Sequence, residues 1–363
     1  INSNTLVVGG GIAGITAALD LADAGHHVYL VEKEGTIGGH MAQIDKTFPT
    51  LDCSACILTP KMVEAGQHDN ITLLAYSEVE KVDGYVGNFE ITVRKKARMV
   101  NEELCTSCGI CEEKCPSKVI DDGYGAGLGY RKAIYRAFPQ AVPGYPVLDT
   151  ENCIYFQTGK CRACEKFCPT DAIDFEQEDE MVNFGVGNII IATGYDLFDA
   201  RRIPQFGYGR LENVFDSLEF ERMVNASGPT NGHVVLRDGK TEPESVAIVH
   251  CVGSRDKNYN EYCSKVCCMY SLKFAHLVHE HLPEAEIYDF YIDMRTPGKG
   301  YEEFYHRLLK EGTHFIRGRV AEITDGARNP GEEDKLIVQY ENTLLSKQKR
   351  LPVDMVILSS GIE

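Results

Sequence analysis

Apolar and polar positions along this 363-residue chain follow two periods, and the change from one to the other marks its elements. Residues 5–8 form a short apolar run read as a strand. Residues 15–24 read as an apolar helix closed by Gly25, and residues 27–32 as a second strand. Strand, helix and strand in that order make a βαβ unit. Residues 70–82 and 88–98 alternate position by position, as the strands of a hairpin-like region do. Residues 123–146, rich in Gly, Pro and Tyr, read as an ordered loop, and residues 188–194 as a buried strand ending in a small-residue turn. From Ser245 a second βαβ pattern begins. Its parts are a strand at 246–251, a helix at 269–281, a strand at 286–293, a helix at 301–311 and a last buried strand at 354–358.

The turn of the first unit reads Gly9-Gly10-Gly11-Ile12-Ala13-Gly14. In a G-x-G-x-x-G turn the first glycine allows the tight bend and the second lets the backbone approach a pyrophosphate. The third lets helix and strand pack closely. The helix N-terminus adds free N–H groups and a partial positive charge for the phosphates. Glu32, followed by Lys33, ends the second strand where an acid would accept a ribose hydroxyl. Residues 34–40 (EGTIGGH, with Gly38, Gly39 and His40) resemble the glycine pair of flavoproteins of the glutathione-reductase type, so FAD is expected here rather than NAD. By the same resemblance Val79 holds the adenine through its backbone, and Ala192-Thr193-Gly194 is the second FAD signature.

Between these parts lies Cys105-x2-Cys108-x2-Cys111-x3-Cys115-Pro116, then Cys153, then Cys161-x2-Cys164-x3-Cys168-Pro169. This is the spacing of a bacterial two-cluster ferredoxin, in which the fourth cysteine of each run ligates the other run's cluster. Cys105, Cys108, Cys111 and Cys168 are therefore expected to hold one [4Fe–4S] cluster. Cys115, Cys153, Cys161 and Cys164 are expected to hold another. Zinc ribbons use paired C-x2-C units with no C-x3-C-P end, and a reducing compartment does not favour disulfides.

The second βαβ pattern has lost its glycine loop. Its strand leads into Cys251-Val-Gly-Ser-Arg-Asp, with Cys263, Cys267 and Cys268 before the helix. Four cysteines in place of a phosphate loop point to a third [4Fe–4S] cluster on Cys251, Cys263, Cys267 and Cys268, its negative charge facing a helix N-terminus. Cys53 and Cys56 are left over. They are read as two ligands of a fourth cluster completed elsewhere, a redox dithiol or a structural pair.

Composition narrows the setting. A net charge of -17 argues against nucleic acid or an anionic membrane as partner. No apolar run is long enough to cross a bilayer. Fourteen cysteines with metal-ligand spacing point to a reducing, cytoplasmic compartment. The chain begins at Ile1 and stops just after an apolar run, and is read as an ordered fragment of a longer polypeptide. The expected domains are a flavin domain in two parts (1–100 and 179–230), an inserted ferredoxin (101–178) and a degenerate NAD(P)H-type domain (231–350). Residues 351–363 are expected to start the return to the flavin domain.

Six stretches together resemble the A subunit of heterodisulfide reductase, an iron–sulfur flavoprotein family of methanogens and other anaerobes. They are residues 51–61 (LDCSACILTPK), 131–143 (RKAIYRAFPQAVP), 251–256 (CVGSRD), 263–269 (CSKVCCM), 312–319 (GTHFIRGR) and 358–363 (LSSGIE). The resemblance implies an α/β, two-lobed flavoprotein fold of the thioredoxin and glutathione reductase type with an inserted α+β ferredoxin domain. It implies flavin-based electron bifurcation, from a two-electron donor to the disulfide of coenzymes M and B and to ferredoxin. Partners implied are the B and C subunits, an iron–sulfur donor subunit of a hydrogenase or formate dehydrogenase, free ferredoxin and a second copy of the chain. A non-bifurcating subunit of a quinone-interacting oxidoreductase is the alternative. Lys273 matches a family lysine near the reactive edge of the flavin, where a cation stabilises the anionic reduced ring. It lies roughly 140° round the helix from Cys268; without the family match it would read as an exposed helical lysine.

Overall fold

Short apolar runs joined by glycine turns build the start of the chain. The computed structural model describes residues 2–363. They fall into two compact units, one of residues up to Gln43 with Ser54–Gly194, the other of Ile44–Cys53 with Tyr195–Glu363.

The first unit starts with β1 (Thr5–Val8), α1 (Ile12–Asp23) and β2 (Val28–Val31), then α2 (Ser54–Gln67), β3 (Ile71–Leu74), β4 (Ser77–Tyr85) and β5 (Asn88–Lys95). Helix α1 begins three residues earlier than the apolar pattern indicates, with Gly11 as its N-cap. Its buried Ile15, Ala18, Leu19 and Ala22 form one stripe, as spacings of three and four residues dictate. The alternating run at 70–82 is two strands in different sheets. β3 lies parallel to β2, while β4 pairs antiparallel with β5. Tyr76, at φ +55, redirects the chain between them.

The insertion follows, with α3 (Ile110–Lys114), β6 (Val119–Ile120) against β7 (Tyr130–Arg131), β8 (Ile134–Tyr135) against β9 (Val147–Leu148), α4 (Ile154–Thr158) and α5 (Ala163–Lys166). Its small core joins Val100, Ile134, Leu148, Ile173 and Phe175 to the cysteine sulfurs. The Gly- and Pro-rich stretch expected as a loop carries β7 and β8, and it also anchors the insertion. Phe138 packs into the α1–α2 core with Leu58 and Met62. The Val142 N–H donates to Thr36 Oγ1 at 2.8 Å.

The chain then returns as β10 (Glu180–Val186), which pairs with β5, and β11 (Asn188–Ile191), which pairs with β1. The parallel sheet has the order β11-β1-β2-β3. The apolar run of β11 predicts a buried strand, but β11 is the sheet edge, and Ile191 is 75% exposed.

The second unit holds β12 (Val214–Asp216), α6 (Ser217–Val224), β13 (Ser245–Val252), α7 (Cys267–His281), β14 (Glu286–Tyr291), α8 (Tyr301–Lys310), β15 (His314–Thr324), β16 (Leu336–Asn342), β17 (Lys347–Val353) and β18 (Met355–Ser360). One sheet of order β12-β18-β13-β14-β15-β16-β17 runs through it. It is parallel from β12 to β15 and antiparallel beyond. β18 is buried at every residue, as a central parallel strand covered on both faces must be. The sequence pattern places residues 179–230 in the second part of the flavin domain and 351–363 at the start of the return to it. β12 pairs with β18, and β18 with β13, so Val214–Asp216 and Met355–Ser360 lie in the second sheet. Residues 44–53, within the range expected for the flavin domain, also belong to this unit.

Candidate cofactor sites

Missing side chains shape the first site. A Cβ on Gly9 would lie 2.2 Å from the Ala192 carbonyl oxygen, and Gly9 has φ +106, a conformation that glycine alone adopts freely. A Cβ on Gly14 would lie 1.8 Å from the Gly9 oxygen. These absences let β1, α1 and the Ala192-Thr193-Gly194 turn close on one another. Around Gly11 the side-chain direction is open, with nothing within 4 Å, so a phosphate could approach the backbone there. The Gly38 N–H donates to the Gly10 carbonyl at 2.7 Å, which lays the second glycine pair on the first loop. His40 in that segment pairs with Gln43 at 2.7 Å.

Glu32 is buried and accepts from the backbone N–H groups of Gly10 at 2.6 Å and Glu34 at 2.9 Å. Burial raises its pKa, and the two N–H bonds oppose the rise. Lys33 and Ala13 are exposed. Val79 is half-buried on β4, in register with Val93. The cradle of glycine backbone, helix N-terminus and buried carboxylate fits a dinucleotide.

The structure brings the cysteines together in three sets of four. One small cavity is lined by Cys105, Cys108, Cys111 and Cys168. A second is lined by Cys115, Cys153, Cys161 and Cys164. The third is lined by Cys251, Cys263, Cys267 and Cys268. Among the described residues no group of three or more His, Cys, Asp or Glu is arranged around a single ion. Each set of four lines one space, as the ligands of a cluster do.

Backbone N–H groups already point at the sulfurs. Ser107 donates to Cys105 at 3.4 Å, Ala172 to Cys168 at 3.3 Å, Lys265 to Cys263 at 3.4 Å and Arg295 to Cys268 at 3.4 Å. Ser107 and Lys265, at φ +56 and +62, sit in left-handed turns of the kind that aim amides at an anion. Burial pushes the Cys111, Cys164 and Cys267 thiols up to about 12 and Cys251 to about 11. At neutral pH these groups stay protonated until metal displaces the proton. Cys56, in the first turn of α2, and Cys53, before that helix, are disulfide-bonded, unlike the other twelve.

The third cavity lies where β13 hands over to α7. Cys251 is near the end of the strand, and Cys267 and Cys268 open the helix. The Ser254 and Ser264 hydroxyls, 2.6 Å apart, tie the intervening loop together. Sequence reading missed the charged residues here. Arg255, Lys265, Asp293 and Arg295 line the cavity. Behind it His250 and Asp289 form a buried pair at 2.9 Å.

Lys273 is not the exposed lysine that helix position alone would give. Its side chain is 2% exposed, pairs with Glu221 and donates to the Lys46 carbonyl at 2.9 Å. Glu221 also accepts from the Asp45 N–H at 3.1 Å. Burial raises the pKa of Glu221, and Lys273 opposes the rise. No sequence signal points to Glu221, an acid on α6 with no motif around it.

Residues 7–72 match a family model described as an NAD(P)-binding Rossmann-like domain, and residues 99–121 one described as a 4Fe-4S binding domain. The chain is 49% identical to the A subunit of the H(2):CoB-CoM heterodisulfide,ferredoxin reductase of Methanothermobacter marburgensis, over 100% of this chain and 54% of that protein. It is 51% identical to an iron-sulfur A subunit of the CoB–CoM heterodisulfide reductase of Methanopyrus kandleri, with the same 100% and 54% coverage. Identity is 45% to the A subunit of the ferredoxin/F(420)H(2)-dependent CoB-CoM heterodisulfide reductase of Methanosarcina acetivorans, over 99% of this chain and 44% of that protein. The chain thus spans about half the length of the curated relatives it matches. A thioredoxin reductase structure from T. acidophilum covers 99% of this chain and 78% of its own at 13% identity and a TM-score of 0.47.

Proposed function

The chain belongs to the family of heterodisulfide reductase A subunits, and from that premise we propose that it is the FAD and iron–sulfur part of an electron-bifurcating oxidoreductase. The observation that carries the reading is one chain with a dinucleotide cradle and three four-cysteine cavities. The proposed reaction divides the two electrons of a donor between a heterodisulfide, through B- and C-type partner subunits, and ferredoxin. A hydrogenase or formate dehydrogenase iron–sulfur subunit is the proposed donor, and the complex is proposed to contain two copies of the chain and to be cytoplasmic. Among the described residues no helix is long and apolar enough to cross a membrane.

The bound groups would supply the electron chemistry, FAD exchanging two electrons and each cluster one. The chain's own residues hold and insulate them. Gly9, Gly11 and Gly14 let the backbone close round a pyrophosphate, α1 presents its N–H groups, and Glu32 receives a ribose hydroxyl. The twelve cysteines ligate clusters, and burial of Cys111, Cys115, Cys153 and Cys164 keeps water from those four sulfurs of the insertion. Lys273, held by Glu221, is proposed as the cation that favours the anionic reduced flavin.

Iron, sulfide and FAD content of the anaerobically purified chain tests the cofactor reading. About twelve irons per flavin is the expected result. About eight would remove the third cluster, and about sixteen would mean that Cys53 and Cys56 recruit a fourth. Bifurcation itself is tested in the assembled complex, where donor oxidation should require heterodisulfide and ferredoxin together. Steady turnover with either acceptor alone would favour the non-bifurcating, quinone-linked alternative.

A further inference from the structure

The three cysteine cavities differ in the charge around them. The two in the insertion are lined by apolar, small and hydroxyl-bearing residues and by no charged side chain. The third is lined by three cations, Arg255, Lys265 and Arg295, and by one acid, Asp293. Arg255 lines this cavity together with Cys251, and its guanidinium pairs with Asp293 on the same wall. Arg295 reaches the same Asp293 at 3.4 Å while its backbone N–H donates to Cys268 Sγ.

A cluster held by four thiolates becomes more negative by one charge when it accepts an electron. Nearby cations and hydrogen bonds to sulfur therefore stabilise its reduced form. Arginine keeps its charge at every pH the protein meets. Solvent acts in the same direction at one inserted site, where Cys108 is exposed. A full charge a few ångströms away in a partly buried cavity outweighs the reorienting dipoles of water at a surface.

We propose that Arg255 makes the cluster at Cys251, Cys263, Cys267 and Cys268 the easiest of the three to reduce, so that an electron shared among them rests there. The inference depends on reading the three cavities as cluster sites. The iron content, measured first on the same sample, separates failure of that reading from failure of this one.

The test is a potentiometric titration of the full chain, purified anaerobically with its clusters, using dithionite with mediators and following the clusters by EPR. Cys268→Ser identifies the third cluster's signal by removing or altering it. That signal is expected to appear at a higher potential than the other two. In Arg255→Gln its reduction equilibrium should weaken about tenfold, ~59 mV for a one-electron couple, while the inserted pair stays in place. Arg255→Lys should recover most of the shift, and Asp293→Asn should move the same midpoint upward. A purely structural Arg255 would not give shifts of opposite sign. The proposal is overturned if the third cluster reduces at or below the inserted pair. It is also overturned if Arg255→Gln keeps all its iron and its midpoint. Should that variant lose iron, the Asp293→Asn midpoint decides, and an unmoved value overturns the proposal.

Discussion

Two strand–loop–helix units in this chain share one scaffold and put different groups on its loop. In the first, β1 passes through Gly9, Gly10 and Gly11 directly into α1, and close approach of backbone to backbone defines the loop. In the second, β13 leaves through Cys251 at φ +60 and takes a long loop past Cys263 before α7 opens with Cys267 and Cys268. Both present a helix N-terminus at the end of a parallel strand, the end where α/β sheets hold ligands. A short glycine loop offers amides and empty space, which suits phosphate. A long loop offers four sulfurs around a cavity, which suits a cluster. In the proposed reading the scaffold fixes where a negatively charged group goes, and the loop decides which group it is.

The comparison is broken most completely at the sulfurs. Cys268→Ser should cost about four irons per chain and leave the FAD content unchanged, as metal analysis beside flavin absorbance would show. Loss of the flavin as well would mean that the two loops are not independent sites. The converse change is Gly14→Val, whose side chain has no room against the Gly9 carbonyl. FAD should be absent from that variant while the insertion's clusters remain visible by EPR; bound flavin would contradict the cradle.

The two helices differ in what they bury, and this gives the next effect. α1 buries only apolar residues and a glycine, whereas α7 buries Lys273 against Glu221. Glu221→Ala leaves that ammonium without its carboxylate. It should destabilise the protein by about 3 kcal/mol, measured by denaturant unfolding of the holo-protein. A change within error would mean that the lysine is readily rehydrated.

The smallest effect is Glu32→Gln, which keeps the shape but not the charge. FAD affinity should fall about tenfold, or ~1.4 kcal/mol, by fluorescence titration of the apoprotein. An unaltered affinity would remove Glu32 from the site.

Much of this was legible in the sequence because it is local. Apolar runs of four, a glycine between strand and helix, and the alternation of β5 each act within a few residues. The cysteine runs are legible for a related reason, since cluster geometry imposes their spacing. The pattern fails where partners are distant. Residues 70–82 keep one alternation through two strands, so only the turn at Tyr76 separates β3 from β4. Helix α2 is hard to read because Pro60 lies inside it. The edge position of β11 is a fact about its neighbours and not about Asn188-Ile-Ile-Ile itself.

The sequence by itself determined which residues can carry chemistry: the glycines that allow a close turn, the acid after β2 and the twelve cysteines in their spacings. Tertiary structure alone decided that β18 enters between β12 and β13, that Glu221 meets Lys273 across 52 positions, and that Asp293 and Arg295 reach the third cavity. The reason is physical. Contacts between residues far apart in the chain are chosen by packing after long loops close, and they leave no period or motif in the local sequence to reveal them.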